Sequence, residues 1–271
     1  MEVSQIATIA GKEFRDRIRD RWVLAIALLF TVFALSIAWF GGAQQGAVGF
    51  RSVEFLIASL VSLVIYLLPL IALVLGFDAV VGERERGSLD LLLSLPITRV
   101  ELLLGKYLGL AAALTVSTLG GFGLVAAILA RQLDPAAFLR YGGFMFSSVL
   151  LGLVFLSLAV MVSVFAADRT RASGLAIALW FFFVLVFDLL LLGALVVSGG
   201  SFGGELFSFL LLLNPADVFR ILNVFSLDEV RELYGLDTLF PEAMAAPWLL
   251  VSVMTLWILV PLGIAAWRFR K

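Results

Sequence analysis

Six long apolar stretches, separated by polar segments, dominate the pattern of the chain. Each is close to the roughly 20 residues that a helix needs to cross about 30 Å of hydrocarbon at 1.5 Å per residue. Backbone groups in lipid must be satisfied within the protein, so the pattern predicts an all-α integral membrane protein with six transmembrane helices. The predicted spans are Trp22 to Phe40, Phe55 to Phe77, Tyr107 to Ala130, Tyr141 to Ala166, Ser173 to Val197 and Trp248 to Trp267.

Residues 1–21, ahead of the first span, show a different pattern. Apolar residues recur at three- and four-residue steps, at Ile6, Ile9, Ala10, Phe14 and Ile18, against a face of charged residues. This spacing is typical of an amphipathic helix that lies in the membrane interface. The segment is too long and too rich in acidic residues for a cleavable signal peptide, so we predict an interfacial helix.

The polar segment between the second and third spans, Asp78 to Lys106, contains signals for two helices. Four charged residues of alternating sign begin it, and charge at mid-membrane costs about 2.5 to 3.5 kcal/mol per residue, so the chain has left the membrane there. A leucine-rich stretch after Gly87 predicts a short amphipathic helix that ends before Pro96. Thr98 and Glu101 then form the pattern of a capping box, which starts a new helix.

Two interpretations of this hairpin, residues 78–106, stay open. A solvated loop whose charge pairs contribute little is the commoner case. Such a loop does not need leucines, however, and an exposed apolar patch usually marks a contact surface. The hairpin is therefore a candidate docking surface for another protein.

Two glycines, Gly105 and Gly109, lie four residues apart at the start of the third span. They predict that this span packs closely against another helix.

The long segment 198–247 before the last span has helix signals of its own. Asn214 and Pro215 combine a capping side chain with a proline at the first helical position, which predicts a helix that runs to Phe225. Leu206 to Leu213 is apolar but too short to span a bilayer. A segment of this length usually has structure or a function of its own, so we predict outer re-entrant or interfacial helices. A plain loop is the alternative.

One ionisable residue, Asp188, lies inside a predicted span, a little beyond the middle of the fifth. An ionisable group at that depth is by default a candidate functional site. The structural alternative is a protonated carboxyl that bonds to a neighbouring helix or to its symmetry mate. No basic residue lies one turn away on the same helix, so the sequence does not identify its partner.

Composition agrees with a membrane protein and narrows the chemistry. Hydrophobic residues make up 62% and charged residues 14% of the chain, against about a half and a quarter in soluble domains. Cys and His are both absent, which excludes thiolate and imidazole metal sites, Cys-His and Ser-His nucleophile pairs and disulfides. No phosphate-binding loop or dinucleotide fingerprint is complete. We therefore expect no catalytic residue, cofactor or metal in this chain, and no nucleic-acid partner.

Lys and Arg are unevenly distributed between the two sides of the predicted membrane. Fourteen fall on the side that holds both termini and the hairpin, and five fall on the other side. Cytoplasmic segments carry the excess of basic residues, so both termini and the hairpin are predicted to be cytoplasmic.

Three motifs of the hairpin carry a resemblance to a known family. They are Glu83 to Leu89 (ERERGSL), Leu93 to Ile97 (LSLPI) and Leu104 to Lys106 (LGK). They resemble the loop after the second helix of ABC-2 type permeases, and the whole chain is similar to that family in its order of elements. The resemblance implies one ABC-2 (type V) exporter-like permease domain over residues 1–271, with an N-terminal interfacial helix, a cytoplasmic coupling helix and outer re-entrant helices.

Within that family, longer stretches are similar to the NosY permeases of transporters that serve the maturation of nitrous oxide reductase. These stretches are Pro69 to Leu73 with Asp78 and Gly82-Glu83, Trp180 to Leu192 with Asp188, and Leu210 to Asn223. The resemblance implies a homodimer in the inner membrane of a denitrifying bacterium. It also implies a dimeric NosF-like ABC ATPase that holds ATP and Mg, a NosD-like periplasmic protein, and a role in assembling the copper centres of that reductase.

By matched motif, the resemblance assigns roles to two sets of residues. The coupling element, with the N-terminal helix as a second contact to the ATPase, comprises Glu83, Arg84, Glu85, Arg86, Leu89, Leu92, Leu93 and Pro96. The outer helices 206–234 would contact the periplasmic partner, and the residues expected to do so are Asn214, Asp217, Phe219, Arg220 and Asp228.

The cargo stays open. Without Cys and His, and with five Met, the chain offers no soft-ligand path for copper through the membrane. It would either pass a different species, such as a sulfur compound, or act mechanically on the periplasmic partner, with ATP binding tilting the second and third spans through the hairpin. An ABC-2 exporter of a lipid, drug or polysaccharide is the alternative. An intramembrane enzyme would need a second polar group at the depth of Asp188, and a passive anchor would not need the leucine-rich hairpin.

Overall fold

The computed structural model describes residues 2–19, 21–40, 53–130, 134–198, 204–225 and 246–270, and every regular element among them is helical. The all-α prediction is therefore confirmed for these residues. π-Helical segments at Phe182–Val186 and Ile221–Phe225 follow α8 and α11. The α-helices are α1 (Val3–Arg19), α2 (Trp22–Phe40), α3 (Val53–Gly76), α4 (Val81–Glu85), α5 (Ser88–Leu93), α6 (Arg99–Leu129), α7 (Pro135–Phe165), α8 (Arg169–Phe181), α9 (Phe187–Val197), α10 (Gly204–Leu212), α11 (Pro215–Arg220) and α12 (Pro247–Arg270).

Six helical stretches of the described chain are long and apolar enough to cross a membrane, and each overlaps one of the six predicted spans. Several are longer than predicted: α6 and α7 have 31 residues each, about 46 Å at 1.5 Å per residue. This exceeds the hydrocarbon thickness of about 30 Å, so their ends extend beyond the apolar layer. A further apolar pair, Leu206–Leu212 and Pro215–Val224, is bent by 101° at its break.

Helix α7 is at the centre of the bundle. It packs against α3, α6 and α12, while α1 and α2 pack on α6. Phe30 of α2, Phe122 of α6 and Phe144 of α7 form a row of buried rings, with centroid distances of 4.9 and 5.2 Å between neighbours. By contrast, α8 buries only Ala172 and Ala176, and α9 buries no residue. The fifth span thus lies at the margin of the bundle.

The predicted close packing at Gly105 and Gly109 occurs, and the partner is α1. A Cβ atom at Gly105 would lie 2.6 Å from Cβ of Ile9, and one at Gly109 would lie 2.6 Å from the carbonyl oxygen of Ala10. Cβ contacts below 3.0 Å essentially never occur, so only glycine lets the two helix backbones come this close. As a result α1 lies directly on the first turns of α6, beside the hairpin.

Candidate functional site

The hairpin folds as two short helices, α4 and α5, followed by a turn into α6. Gly87 separates α4 from α5 in a left-handed conformation, with φ of 71°, which glycine adopts without the steric cost that a side chain would add. The predicted capping box is confirmed: the Thr98 side chain accepts from the Glu101 amide, and the Glu101 carboxylate accepts from the Thr98 amide at 2.8 Å. The hairpin therefore has a defined shape at both of its turns.

All four charged residues of α4 and its end have partners within the chain. Glu83 pairs with Lys106 at 2.8 Å, and Arg86 pairs with Asp78 at 3.2 Å. Arg84 donates to two carbonyl oxygens at the C-terminal end of α7, at 2.9 and 3.3 Å. Glu85 accepts from the backbone amide of Arg169, the first residue of α8, at 2.7 Å. In this structure these charges hold the hairpin to the bundle, and their contact with an ATPase stays a prediction.

Lys106 is the centre of a buried ionic cluster that joins three helices. Its Nζ lies 2.8 Å from Glu83 of α4 and 3.5 Å from Glu13 of α1, and Glu13 also pairs with Arg17 at 3.3 Å. The side chain of Lys106 is 7% exposed, and those of Glu13 and Glu83 are 10% and 17% exposed. Ser88, at the start of α5, also donates to Glu83. One cation thus connects α1, the hairpin and α6.

Two further contacts join the same elements. Asp78 forms an ion pair with Arg169, which ties the end of the second span to the start of the fifth: Nη2 of Arg169 donates to Oδ2 at 2.9 Å, and Nε lies 2.7 Å from Oδ1. The Glu101 carboxylate accepts from the backbone amide of Glu2 at 2.6 Å, and the Gln5 side chain donates to the carbonyl of Pro96 at 3.0 Å. The N-terminal helix is therefore fixed to both ends of the turn that precedes α6.

The leucines of α5 differ in exposure. Leu89, Leu92 and Leu93, which the sequence assigns to the coupling element, are partly buried against the bundle, and Pro96 is exposed. Leu91 and Leu95, absent from that set, are 72% and 54% exposed. A groove of about 340 Å³ runs between α1 and α5, lined by Ser4, Gln5, Thr8, Ile9, Lys12, Leu92, Leu95 and Ile97. The surface that α5 and the turn after it offer to a partner is thus centred on Leu91, in the helix, and Leu95, in the turn.

Away from the hairpin, beside the middle of the fifth span, Asn214 fixes the bend between α10 and α11. Its Oδ1 accepts from the Ala216 amide at 3.0 Å, as the predicted cap requires, so α11 begins at Pro215. Its Nδ2 donates at 2.9 Å to the carbonyl of Phe183 in the first π-helical segment and to Asp217. The wider turns of a π-helix change the regular backbone hydrogen-bond pattern of an α-helix. Here the Asn214 side chain donates to one of the backbone carbonyls of the π-helical segment.

The residues predicted to contact a periplasmic partner differ in their exposure. Asn214, Asp217 and Phe219 are buried, with at most 1% exposure, so they would affect such a partner only through their neighbours. Arg220 is partly exposed and pairs with Asp217. Asp228 lies outside the described residues. Contact of this set with a periplasmic protein stays a prediction.

Asp188 has a cationic partner that the sequence did not identify. Arg220 lies 3.1 Å from its carboxylate, although it comes 32 positions later in the chain and on a different helix. Arg220 therefore bridges Asp188 and Asp217, and the role of Asp188 stays a prediction. The side chains of Asp188 and Arg220 are 32% and 40% exposed, so the pair reaches the surface of the single chain.

Sequence analysis missed Lys106 and Glu13 as functional candidates. A lysine one helical turn inside an otherwise apolar stretch, as at Lys106, is a usable signal because such a charge needs a partner. Glu13 lies among four basic residues on α1 and gives no separate signal. Within the described residues no group of three or more His, Cys, Asp or Glu could hold a metal ion. The hairpin region thus connects helices through buried charge and exposes apolar side chains.

Comparison with known proteins agrees with this architecture. Residues 7–271 match the family described as ABC-2 family transporter protein. The chain is 47% identical over 270 residues to the protein of Pseudomonas aeruginosa named "Probable ABC transporter permease protein NosY", with 97% of each chain covered. It is 44% identical over 276 residues to the protein of the same name from Stutzerimonas stutzeri, with 99% of each chain covered. The chain therefore belongs to the ABC-2 family of transporter permeases.

Proposed function

We propose that this permease couples ATP hydrolysis by a separate ABC ATPase to transport or to mechanical action on a periplasmic partner, in copper-centre maturation of nitrous oxide reductase. The names of the two relatives support a NosY-like role. The observation that carries the coupling is the exposure of Leu91 on α5 and of Leu95 in the turn after it, in a hairpin that buried charges attach to the bundle. An exposed apolar patch on a rigid support suits a docking contact that transmits force.

The connections of the hairpin support a lever mechanism. Helix α5 follows α4, which is joined to α6 by the pair Glu83–Lys106 and to α8 by the contact of Glu85 with Arg169. A force on α5 therefore reaches the second, third and fifth spans together. In this mechanism the bundle has two shapes in equilibrium, and ATP binding closes the ATPase dimer. The closed ATPase shifts the equilibrium toward the shape that it binds more tightly, by as much as its binding free energy differs between the two shapes.

The remaining parts of the assembly follow from the same role. In this proposal the chain forms a homodimer in the bacterial inner membrane, both termini and the hairpin are cytoplasmic, and a NosF-like ATPase dimer covers α5 and the groove beside α1. A NosD-like protein meets the outer end, near α10 and α11. Since the chain lacks Cys and His, soft-metal ligation does not support passage of copper through it, and this favours mechanical action on the outer partner.

The test uses the exposed leucines. The tagged chain is co-expressed with the ATPase and the periplasmic protein encoded beside it, and co-purification and ATP hydrolysis are measured. The double variant L91S/L95S should lose ATPase capture by tenfold or more, since two apolar anchors are removed from a docking contact. The fold should be unaffected, because both side chains are exposed in the free chain.

The matched control is L139S. Leu139 is 75% exposed, but it lies on the second turn of α7, at the other end of the bundle. This variant should retain ATPase capture. Equal loss in both variants, or full capture and stimulation in L91S/L95S, would contradict the coupling role. Capture of an ATPase without the periplasmic protein would instead favour an ABC-2 exporter with another cargo.

A further inference from the structure

A second cleft lies on the other side of α5 from the α1 groove, between α5 and the ends of α7 and α12. Its volume is about 520 Å³. Apolar side chains from all three helices form part of its wall: Leu89, Leu93, Val164, Phe165 and Phe269. The charged side chains that line it are Arg84, Arg99, Arg268 and Asp90. Among the described lining residues, three cations therefore face one exposed carboxylate, and the cleft is amphipathic with net positive charge.

Much of the donor capacity of these arginines is unused. A guanidinium has five N–H donors. Arg84 donates to two carbonyls at the end of α7, and Arg99 donates to the carbonyl of Phe269 at 3.3 Å. Arg268 has no hydrogen-bond or ionic partner among the described residues. The cleft thus offers several unfilled, planar cationic donors, the geometry that binds phosphate in two-point contacts.

The position of the cleft along α12 places it at the membrane surface. Trp248 and Trp267 lie near the two ends of this helix, are 71% and 59% exposed, and are separated by about 28 Å at 1.5 Å per residue. This separation matches the thickness of the hydrocarbon layer, and tryptophans concentrate at its two boundaries. Arg268 directly follows Trp267, so the cationic lining of the cleft lies at the level of the lipid headgroups.

We propose that this cleft binds the headgroup phosphate of an anionic phospholipid from the leaflet that faces the hairpin. The arginines contact the phosphate, and the apolar wall of Leu93, Phe165 and Phe269 contacts the start of the acyl chains. Basic pockets between membrane helices on the cytoplasmic side recognise anionic headgroups in this way. A free phosphate would share the arginine contacts but would gain nothing from the apolar wall. Because Leu89 and Leu93 belong to α5, the bound lipid supports the inner face of the helix that carries Leu91.

The test measures lipid binding to the purified chain in detergent, without any ATPase. Native mass spectrometry with added phosphatidylglycerol or phosphatidylcholine gives the apparent Kd of each. The wild-type chain should bind phosphatidylglycerol more tightly. R268Q should weaken that binding about fivefold, the value of one basic residue near an anionic headgroup, and R268K should weaken it less because the charge remains.

The matched control is R270Q. Arg270 is an exposed arginine in the same last turn of α12, but it does not line the cleft, so this variant should bind as the wild type does. Equal weakening by R268Q and R270Q would overturn the proposal in favour of diffuse surface charge. Equal binding of the two lipids, or full displacement of phosphatidylglycerol by millimolar inorganic phosphate, would overturn the lipid assignment. Because no ATPase is present, failure here is distinct from failure of the coupling role.

Discussion

Lys106 is held between two carboxylates from different helices, with its side chain almost fully buried. Removing one partner of a buried ionic cluster leaves the opposite charges uncompensated, which costs more than the cluster itself contributes to stability. The residue is also the cation that keeps α1 and α4 on the start of α6. At the residue scale it therefore supports the hairpin more than any other charged group near it.

The variant K106M should reduce the free energy of unfolding by about 3 kcal/mol, because Glu83 then remains buried without a cation and Glu13 keeps only Arg17. Equilibrium unfolding in detergent measures it. The control K12M removes a lysine whose side chain is 64% exposed in an ion pair on the surface of α1, and it should change stability by less than about 0.5 kcal/mol. Similar losses in the two variants would show that the buried cluster has no special role.

Arg220 and Asp188 are not equivalent members of their cluster. D188N leaves Arg220 paired with Asp217, whereas R220Q leaves two carboxylates without a cation. R220Q should therefore lower stability by about 2 kcal/mol and D188N by clearly less, because D188N removes one carboxylate and leaves Arg220 paired with the other. Thermal unfolding of the purified variants makes the comparison. A larger effect of D188N would indicate that Asp188 has a role beyond this pair.

At the scale of elements, the contact between α1 and α6 depends on the absence of side chains. Gly109 faces the backbone of α1 at a distance that no Cβ atom tolerates, whereas a Cβ atom at Gly120 would meet its nearest neighbour at an ordinary 3.8 Å. Both residues are in α6, so replacement by alanine raises intrinsic helix propensity equally. The pair of variants separates helix packing from helix propensity.

We expect G109A to displace α1 at a cost of about 1 to 3 kcal/mol, the usual cost of overpacking. Amide hydrogen exchange along Val3–Arg19 should then be about tenfold faster or more, while G120A leaves it unchanged. ATPase capture should also fall in G109A if α1 is the second docking contact. Unchanged exchange in G109A would show that α1 does not depend on this close approach.

At the scale of the whole molecule, the fifth span and α11 leave an ion pair partly exposed. Asp188 and Arg220 lie in apolar segments, and charge that faces lipid is costly, so this surface requires a polar cavity or a second protein. The adjacent helix α9 buries none of its side chains and exposes Leu189, Leu190 and Leu192. A second copy of the chain, packed on this face in the proposed homodimer, would cover both features.

The absence of cysteine makes that arrangement directly testable. L189C should form intermolecular cross-links in membranes with a short bifunctional thiol reagent, because a symmetric dimer places equivalent positions near its axis. L124C is the control: Leu124 is 55% exposed on α6, away from this face, and should not cross-link. Cross-linking at position 124 and not at 189 would move the dimer interface to another surface.

The sequence alone determined the helices, because their signals are local. An apolar run of about 20 residues, the box formed by Thr98 and Glu101, and the cap at Asn214 each act within a few residues of where they stand, and the structure contains all of them. Part of the candidate site was predicted for the same reason: the position of the hairpin and its short leucine-bearing helix follow from the charges after the second span and from Pro96.

The partners of the charged residues were decided only by tertiary structure. Lys106 meets Glu13 and Glu83, and Asp188 meets Arg220, because the helices pack at particular rotations and heights. Local sequence patterns do not specify the rotation of each helix about its axis. Side chains that are far apart in the chain become neighbours only after the bundle is assembled. The same packing turned Leu89, Leu92 and Leu93 inward and left Leu91 and Leu95 exposed, which the leucine pattern of a six-residue helix and the turn after it could not distinguish.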